Sequence, residues 1–184
     1  VWFKDAAGNV SVVASDTITL SSSVNWTGTW TRATASAGWT ARHEHGSVVF
    51  DDKMWVIAGV TSTKVNDVWY SSNGTNWTQA TASASFSVRY NFFPGVVFDD
   101  KMWIYGGYGG SNLNDVWYSS NGTTWTQATA SASWSARSSH GNVVFDNKLW
   151  IISGSISGSK ATDAWSSNNG VTWSLSSSSV PPRS

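Results

Sequence analysis

The chain repeats itself, and that limits what it can fold into more than any other feature does. The segment NDVWYSSNGT stands at Asn66–Thr75 and again at Asn114–Thr123. FDDKMW stands at Phe50–Trp55 and Phe98–Trp103, and WTQATASAS at Trp77–Ser85 and Trp125–Ser133. Single positions carry the interval further. Trp69, Trp117 and Trp165 lie 48 apart, as do Asp67, Asp115 and Asp163, while Trp30, Trp77, Trp125 and Trp173 follow at 47, 48 and 48. Such an array is built from one supersecondary unit, whose apolar face is buried against the next copy.

Each unit reads as four strands. In the first, Gly46–Phe50 is short and β-branched, Asp51-Asp52-Lys53 is polar turn material, and Met54–Gly59 is a second apolar run. A polar loop, Val60–Asn66, leads to alternating apolar and polar residues at Asp67–Ser71. Asn73-Gly74 predicts a two-residue type I′ hairpin, and Asn76–Thr81 is the fourth strand. Helical periodicity is nowhere sustained. A 48-residue, four-stranded unit falls within the ~40–50 residues of a propeller blade. The expected fold is therefore all-β, with three complete blades at about 46–81, 94–129 and 141–176.

The unit resembles a kelch repeat of the galactose-oxidase type, in which an apolar strand ends in a Gly pair and a Tyr is followed seven positions later by a Trp. Gly106-Gly107 is the full pair, while Ala58-Gly59 and Ser153-Gly154 keep the second Gly. Tyr70–Trp77 and Tyr118–Trp125 keep the spacing, and Ser166 replaces the Tyr in the third unit. The hairpin Ser166–Trp173 is similar to the Asp-box of sialidase-type propellers, with Asn for Asp. The resemblance spans about 29–176 and implies a β-propeller whose blades surround a channel. It carries little information about activity, because one fold hosts many functions. A copper-radical oxidase of kelch type needs a Cys–Tyr crosslink, and the chain has no Cys.

Three blades fall short of the roughly four to eight of known rings. Trp30–Ala35 matches a lone fourth strand, yet the last blade already has its own near Trp173. The expectation is that other copies of the chain, or sequence beyond it, complete the ring; two copies would make six blades. Val1 reads as mid-protein, which fits a processed product or an excised fragment. Residues 1–23 lack the repeat. They resemble the end of a bacterial immunoglobulin-like domain, or form a hairpin that docks on a blade edge, followed by a Ser linker.

Composition closes several function classes. Charged residues are 12% of the chain and formal net charge is zero, so nucleic-acid binding is not expected. Without Cys, thiolate metal sites and Cys nucleophiles are excluded. No apolar run reaches the roughly 20 residues of a membrane helix, and no signal peptide is visible. Low charge with abundant Ser, Thr, Asn, Gly and Trp suggests a secreted or cell-surface bacterial protein.

Candidate site residues come from the places where the repeats disagree. The FDDK and SSNG turns hardly vary, whereas two loops at the expected channel mouth do. One leads into the innermost strand, with Arg42, His43, Glu44 and His45, then Arg89, Tyr90 and Phe92, then Arg137 and His140. The other joins the second and third strands and includes Tyr108. Divergence confined to one face suggests recognition there; drift in exposed loops explains it equally. Arg42, Arg89 and Arg137 recur once per blade, and could bind carboxylates or hold backbone carbonyls between blades. Sialidase-type enzymes, which also use three arginines, need a Tyr nucleophile with a Glu partner and an Asp acid; only Tyr90 and Glu44 are candidates here. The repeated Trp residues invite sugar stacking, but their fixed positions favour packing between blades, with Trp39, Phe86 and Trp134 less determined. No catalytic set, metal site or cofactor is expected. The leading expectation is a non-catalytic extracellular module that self-associates and recognises a glycan or surface protein at the mouth. A structural subunit of a fibre or layer, and part of a glycan-active enzyme, stand as alternatives.

Overall fold

The computed structural model describes residues 31–92 and 95–178. The immunoglobulin-like remnant expected at 1–23 lies outside them. The described residues contain no helix, and their strands form three four-stranded antiparallel sheets and one small hairpin. The first sheet runs β1 (Gly46–Phe50), β2 (Lys53–Val60), β3 (Lys64–Ser71), β4 (Thr78–Thr81). The second runs β5 (Val96–Phe98), β6 (Lys101–Tyr105), β7 (Val116–Ser119), β8 (Thr126–Thr129). In the third, β9 (Gly141–Phe145) and β10 (Lys148–Ile152) precede a small hairpin, β11 (Ser155–Ile156) with β12 (Ser159–Lys160). β13 (Ala164–Ser167) and β14 (Ser174–Ser177) then complete that sheet in the order β9-β10-β13-β14. The all-β expectation holds. The three sheets are blade-like, and they do not close a ring.

The turns explain why each meander folds as it does, and they correct one expectation. The type I′ hairpin is Asp51-Asp52, where φ is 50° and 52° and Phe50 pairs with Lys53. Asp99-Asp100 and Asp146-Asn147 repeat it. At Asn73-Gly74 only Gly74 has positive φ, at +73°, and the connection from Ser71 to Thr78 is longer than two residues. Side chains shape it instead. Ser71 Oγ accepts the Asn73 and Gly74 N–H groups at 3.2 and 2.9 Å, and Asn73 Oδ1 accepts those of Thr75 and Asn76, both at 2.9 Å. Ser and Asn offer local acceptors that displace the tighter turn.

Alternation along the strands gives each blade two faces. One face of the first blade, with Trp55, Ile57 and Val68, packs in a common core with Met102, Ile104 and Trp125 of the second. The next core repeats it, with Trp103, Tyr105 and Val116 against Leu149, Ile151 and Trp173. The connecting residues Phe86 and Trp134 are also buried. They stand edge-on to Trp125 and Trp173, at 5.1 and 5.9 Å between ring centroids, a favoured aromatic geometry. Trp39 is only partly buried, 4.1 Å from Trp77. Each junction also needs a glycine. A Cβ on Gly122 would stand 2.0 Å from the Trp55 ring, and one on Gly170 would stand 2.1 Å from Trp103.

A backbone seam ties the blades together near the beginning of the innermost strands. Gly59 N donates to Arg89 O at 3.0 Å, and Gly107 N to Arg137 O at 2.9 Å. Asn91 N donates to Glu44 O at 3.2 Å, and Ser139 N to Asn91 O at 2.7 Å. Glu44, Asn91 and Ser139 all adopt left-handed φ, between 54° and 57°, so the lead-in to each blade bends in the same way.

Candidate functional site at the mouth end of the blades

The loops that vary between repeats come together. In every blade the lead-in segment forms an antiparallel bridge with a residue at or shortly after the end of the second strand: His43 with Val60, Tyr90 with Tyr108, and Ser138 with Ser155. The Tyr90–Tyr108 bridge has reciprocal N–H to O bonds of 3.1 and 2.8 Å. One backbone frame therefore presents three unlike side-chain pairs at the same end of the molecule.

The middle pair is the most developed. The Tyr90 and Tyr108 rings lie 5.4 Å apart, tilted by 59°. Lys64, from the neighbouring blade, holds its ammonium 5.7 Å from the Tyr108 ring centre and donates to Gly109 O at 3.2 Å. A cation over an aromatic face is attracted by the ring quadrupole. Both tyrosines are partly exposed. His43 is exposed and Glu44 partly exposed at the same end.

The three arginines turn inward. Arg89 donates to Asp115 Oδ1 and Oδ2 at 2.8 and 2.7 Å and to Gly106 O at 3.1 Å. Arg42 forks onto Asp67 at 2.6 and 2.9 Å and reaches Ala58 O. Arg137 forks onto Asp163 at 2.6 and 3.0 Å and reaches Ser153 O. Every one of these bonds stays within a blade, so the carbonyls held are not those of a neighbouring blade. A Trp two residues on from each Asp donates its indole N–H to the same carboxylate, always at 2.7 Å. Burial raises the Asp67 pKa, but the hydrogen bonds from Arg42 and Trp69 and the Arg42 charge outweigh it and hold the carboxyl below its usual range. For Asp163 the Arg137 hydrogen bond is the largest effect, and the net shift is again downward.

His140 and Phe92 are also interior. His140 Nε2 lies 3.1 Å from Tyr105 O in the preceding blade, which makes Nε2 the protonated nitrogen. Burial, reinforced by the Arg137 charge, lowers the His140 pKa to about 3, so the ring is neutral at physiological pH. His45, at the matching place in the first blade, is partly buried and is also shifted downward by burial and by Arg42. Among the described residues no group of three or more His, Asp or Glu side chains could hold a metal ion.

The ten candidates thus divide. His43, Glu44, Tyr90 and Tyr108 face the solvent side of the mouth end and His45 is partly covered, while Arg42, Arg89, Phe92, Arg137 and His140 are built into the blades. The carboxylate partners Asp67, Asp115 and Asp163 had no assigned role. Their signal was the shared repeat: an Asp always follows the Arg by 25 or 26 residues and precedes a Trp by two. No protein-family model matches this chain, and a search of curated proteins found no match either.

Proposed function

We propose that this chain is a non-catalytic, extracellular binding module of kelch-like propeller type, and that its variable mouth-end side chains make the ligand contacts. One observation carries the reading: an invariant backbone bridge bears His43/Val60, Tyr90/Tyr108 and Ser138/Ser155 in successive blades. Constant frame with changing side chains is how a scaffold carries recognition. The repeated carboxylates nearest the variable loops, Asp67, Asp115 and Asp163, are tied to arginine, and Glu44 is the one acidic side chain of the variable lead-in segments, which supports binding over acid–base catalysis. The test is a glycan array and a screen of surface-protein ectodomains, using the chain and a Tyr90→Ala/Tyr108→Ala variant. Binding that disappears in the folded variant supports the reading. Binding that survives unchanged, or turnover of a glycan, overturns it.

A scaffolding role has its own support. Phe145 and Val143, on the face of the third blade that lies away from the second, are 68% and 41% exposed. Their counterparts Phe98 and Val96 are each 8% exposed beneath the third blade. The uncovered face therefore suits another blade of this repeat, supplied by a second copy of the chain.

A further inference from the structure

At both internal junctions an indole of one blade seats on a glycine of the next. The Trp55 ring lies over Gly122 and the Trp103 ring over Gly170, and all four residues are buried. The repeat carries the same pair once more, split between the two end blades. Trp150 stands in the third blade where Trp55 and Trp103 stand in theirs, and Gly74 stands in the first blade where Gly122 and Gly170 stand in the second and third. Both are only partly buried. Among the described residues a Cβ on Gly74 would meet no ring, only Met54 Cε at 3.4 Å and Ala33 Cβ at 3.5 Å.

The surroundings of each follow the same rule. Beside Trp150, Val143 and Phe145 are exposed and Ile152 is partly exposed, whereas their counterparts Val96, Phe98 and Tyr105 are buried against the third blade. Beside Gly74, Met54 is 39% exposed, whereas Met102 and Leu149, at the same place in the later blades, are fully buried. Trp77 and Trp39 are partly exposed, whereas Trp125 with Phe86, and Trp173 with Trp134, are buried. The third blade thus carries one half of a junction and the first blade the other half. Covering such apolar surface is favourable, and the matching surface is present in the same sequence.

We propose that two copies of this chain join head to tail, Trp150 of one seating on Gly74 of the other, in a third junction of the internal kind. This rests on the scaffolding role given above, and adds the face that the second copy brings, the direction of assembly and the contact at its centre. A heterologous contact uses different patches on the two copies, so each copy keeps one half for a further junction. Two copies joined at both ends contain six blades, inside the roughly four to eight of known rings.

Ala33 marks what the incoming blade displaces. By the repeat it corresponds to Ala80 and Ala128, which pack beside the internal junctions, and to Ser176 of β14. It borders Gly74, and Thr75 Oγ1 donates to Ala33 O at 3.3 Å. The incoming third blade brings Ser176 to that place, so the joined state exchanges the Ala33 contact for β14.

The two halves can be altered separately. Gly74 has φ of +73°, which Asn adopts more readily than most side chains, and its Cβ would meet no described atom closer than 3.4 Å. Gly74→Asn therefore fills the notch and leaves the blade folded; if it fails to fold, Met54→Glu, at an exposed place on the same half, replaces it. Trp150→Ala removes the ring from the other half. Urea denaturation establishes that the variants fold. Light scattering over a concentration series then follows the unaltered chain, each variant and an equimolar mixture of the two. The unaltered chain is expected to associate, and each variant to need at least about tenfold more protein, the order of a truncated Trp anchor. The mixture should associate more readily than either variant alone, because the Trp150→Ala chain keeps its Gly74 half and the Gly74→Asn chain keeps its Trp150 half. A mixture no better than its components, with the unaltered chain dimeric, overturns the head-to-tail junction and leaves a second copy on the third blade's face. Undiminished association of both variants overturns it too. An unaltered chain that stays monomeric overturns the junction and the scaffolding role together.

Discussion

Arg89 is entirely buried and forks onto both carboxylate oxygens of Asp115, at 2.8 and 2.7 Å. The pair clamps the lead-in segment of the second blade to the beginning of its third strand, and the same clamp recurs as Arg42–Asp67 and Arg137–Asp163. Removing one partner strands a charge in the interior. Asp115→Ala is therefore expected to cost about 3–5 kcal/mol. Asp99→Ala, which breaks the exposed Lys101 pair, should cost less than about 1 kcal/mol. Urea denaturation of the two variants gives the comparison; equal losses would show that the buried clamp contributes no more than a surface pair.

Glycines at matching backbone angles separate conformational strain from packing. Gly122 and Gly158 have φ of +73° and +74°. A Cβ at Gly122 meets the Trp55 ring at 2.0 Å, whereas one at Gly158 meets nothing within 4 Å. Both Ala variants bear the left-handed penalty of about 1–2 kcal/mol. Only Gly122→Ala adds overpacking, a further 1–3 kcal/mol or so. Thermal melts in which the two variants fall together would refute the notch.

Acid sensitivity should trace to His140. Its folded pKa is about 3, against roughly 6.5 when unfolded. Between those values the unfolded chain binds a proton that the folded chain does not. Stability is therefore full above pH 6.5 and falls as pH drops, by up to roughly 1.4 kcal/mol per unit. His45, shifted the same way, adds to the slope. Asp67 and Asp163 are lowered below 3.8, so their contributions are lost only under more acidic conditions. His140→Phe, which installs the residue found at Phe92, should flatten the stability profile between pH 6.5 and 4.5. An unchanged slope in the variant would assign the acid response elsewhere.

Self-association should depend on Phe145. Light scattering over a concentration series is expected to show a particle of twice the 19.8 kDa chain mass, with Phe145→Glu returning it to a single chain. A chain that stays monomeric throughout the series would leave the third blade's exposed face without a second copy as its occupant.

The blades were legible in the sequence because a 48-residue repeat multiplies a weak strand signal at every position. The turns were less so. Asn-Gly reads as a tight hairpin in isolation, but Ser71 Oγ and Asn73 Oδ1 supply backbone acceptors that open it. The acidic pair Asp51-Asp52 takes the left-handed turn instead. In the candidate site, variability marked one end of the blades but could not sort the residues. Arg42 and His43 are adjacent in the chain, yet one is sealed against Asp67 and the other is exposed.

By itself, the sequence determined the unit: its length, its four strands, its all-β class and the positions that repeat. Those properties follow from local periodicity and turn chemistry, which act over a few residues. Only the tertiary structure decided which repeated residues face one another. It joined Arg89 to Asp115 across 26 residues, seated Trp55 against Gly122, and left Phe145 exposed where Phe98 is buried. Burial and hydrogen-bond partnership depend on what the next strand and the next blade bring, and no local pattern encodes that.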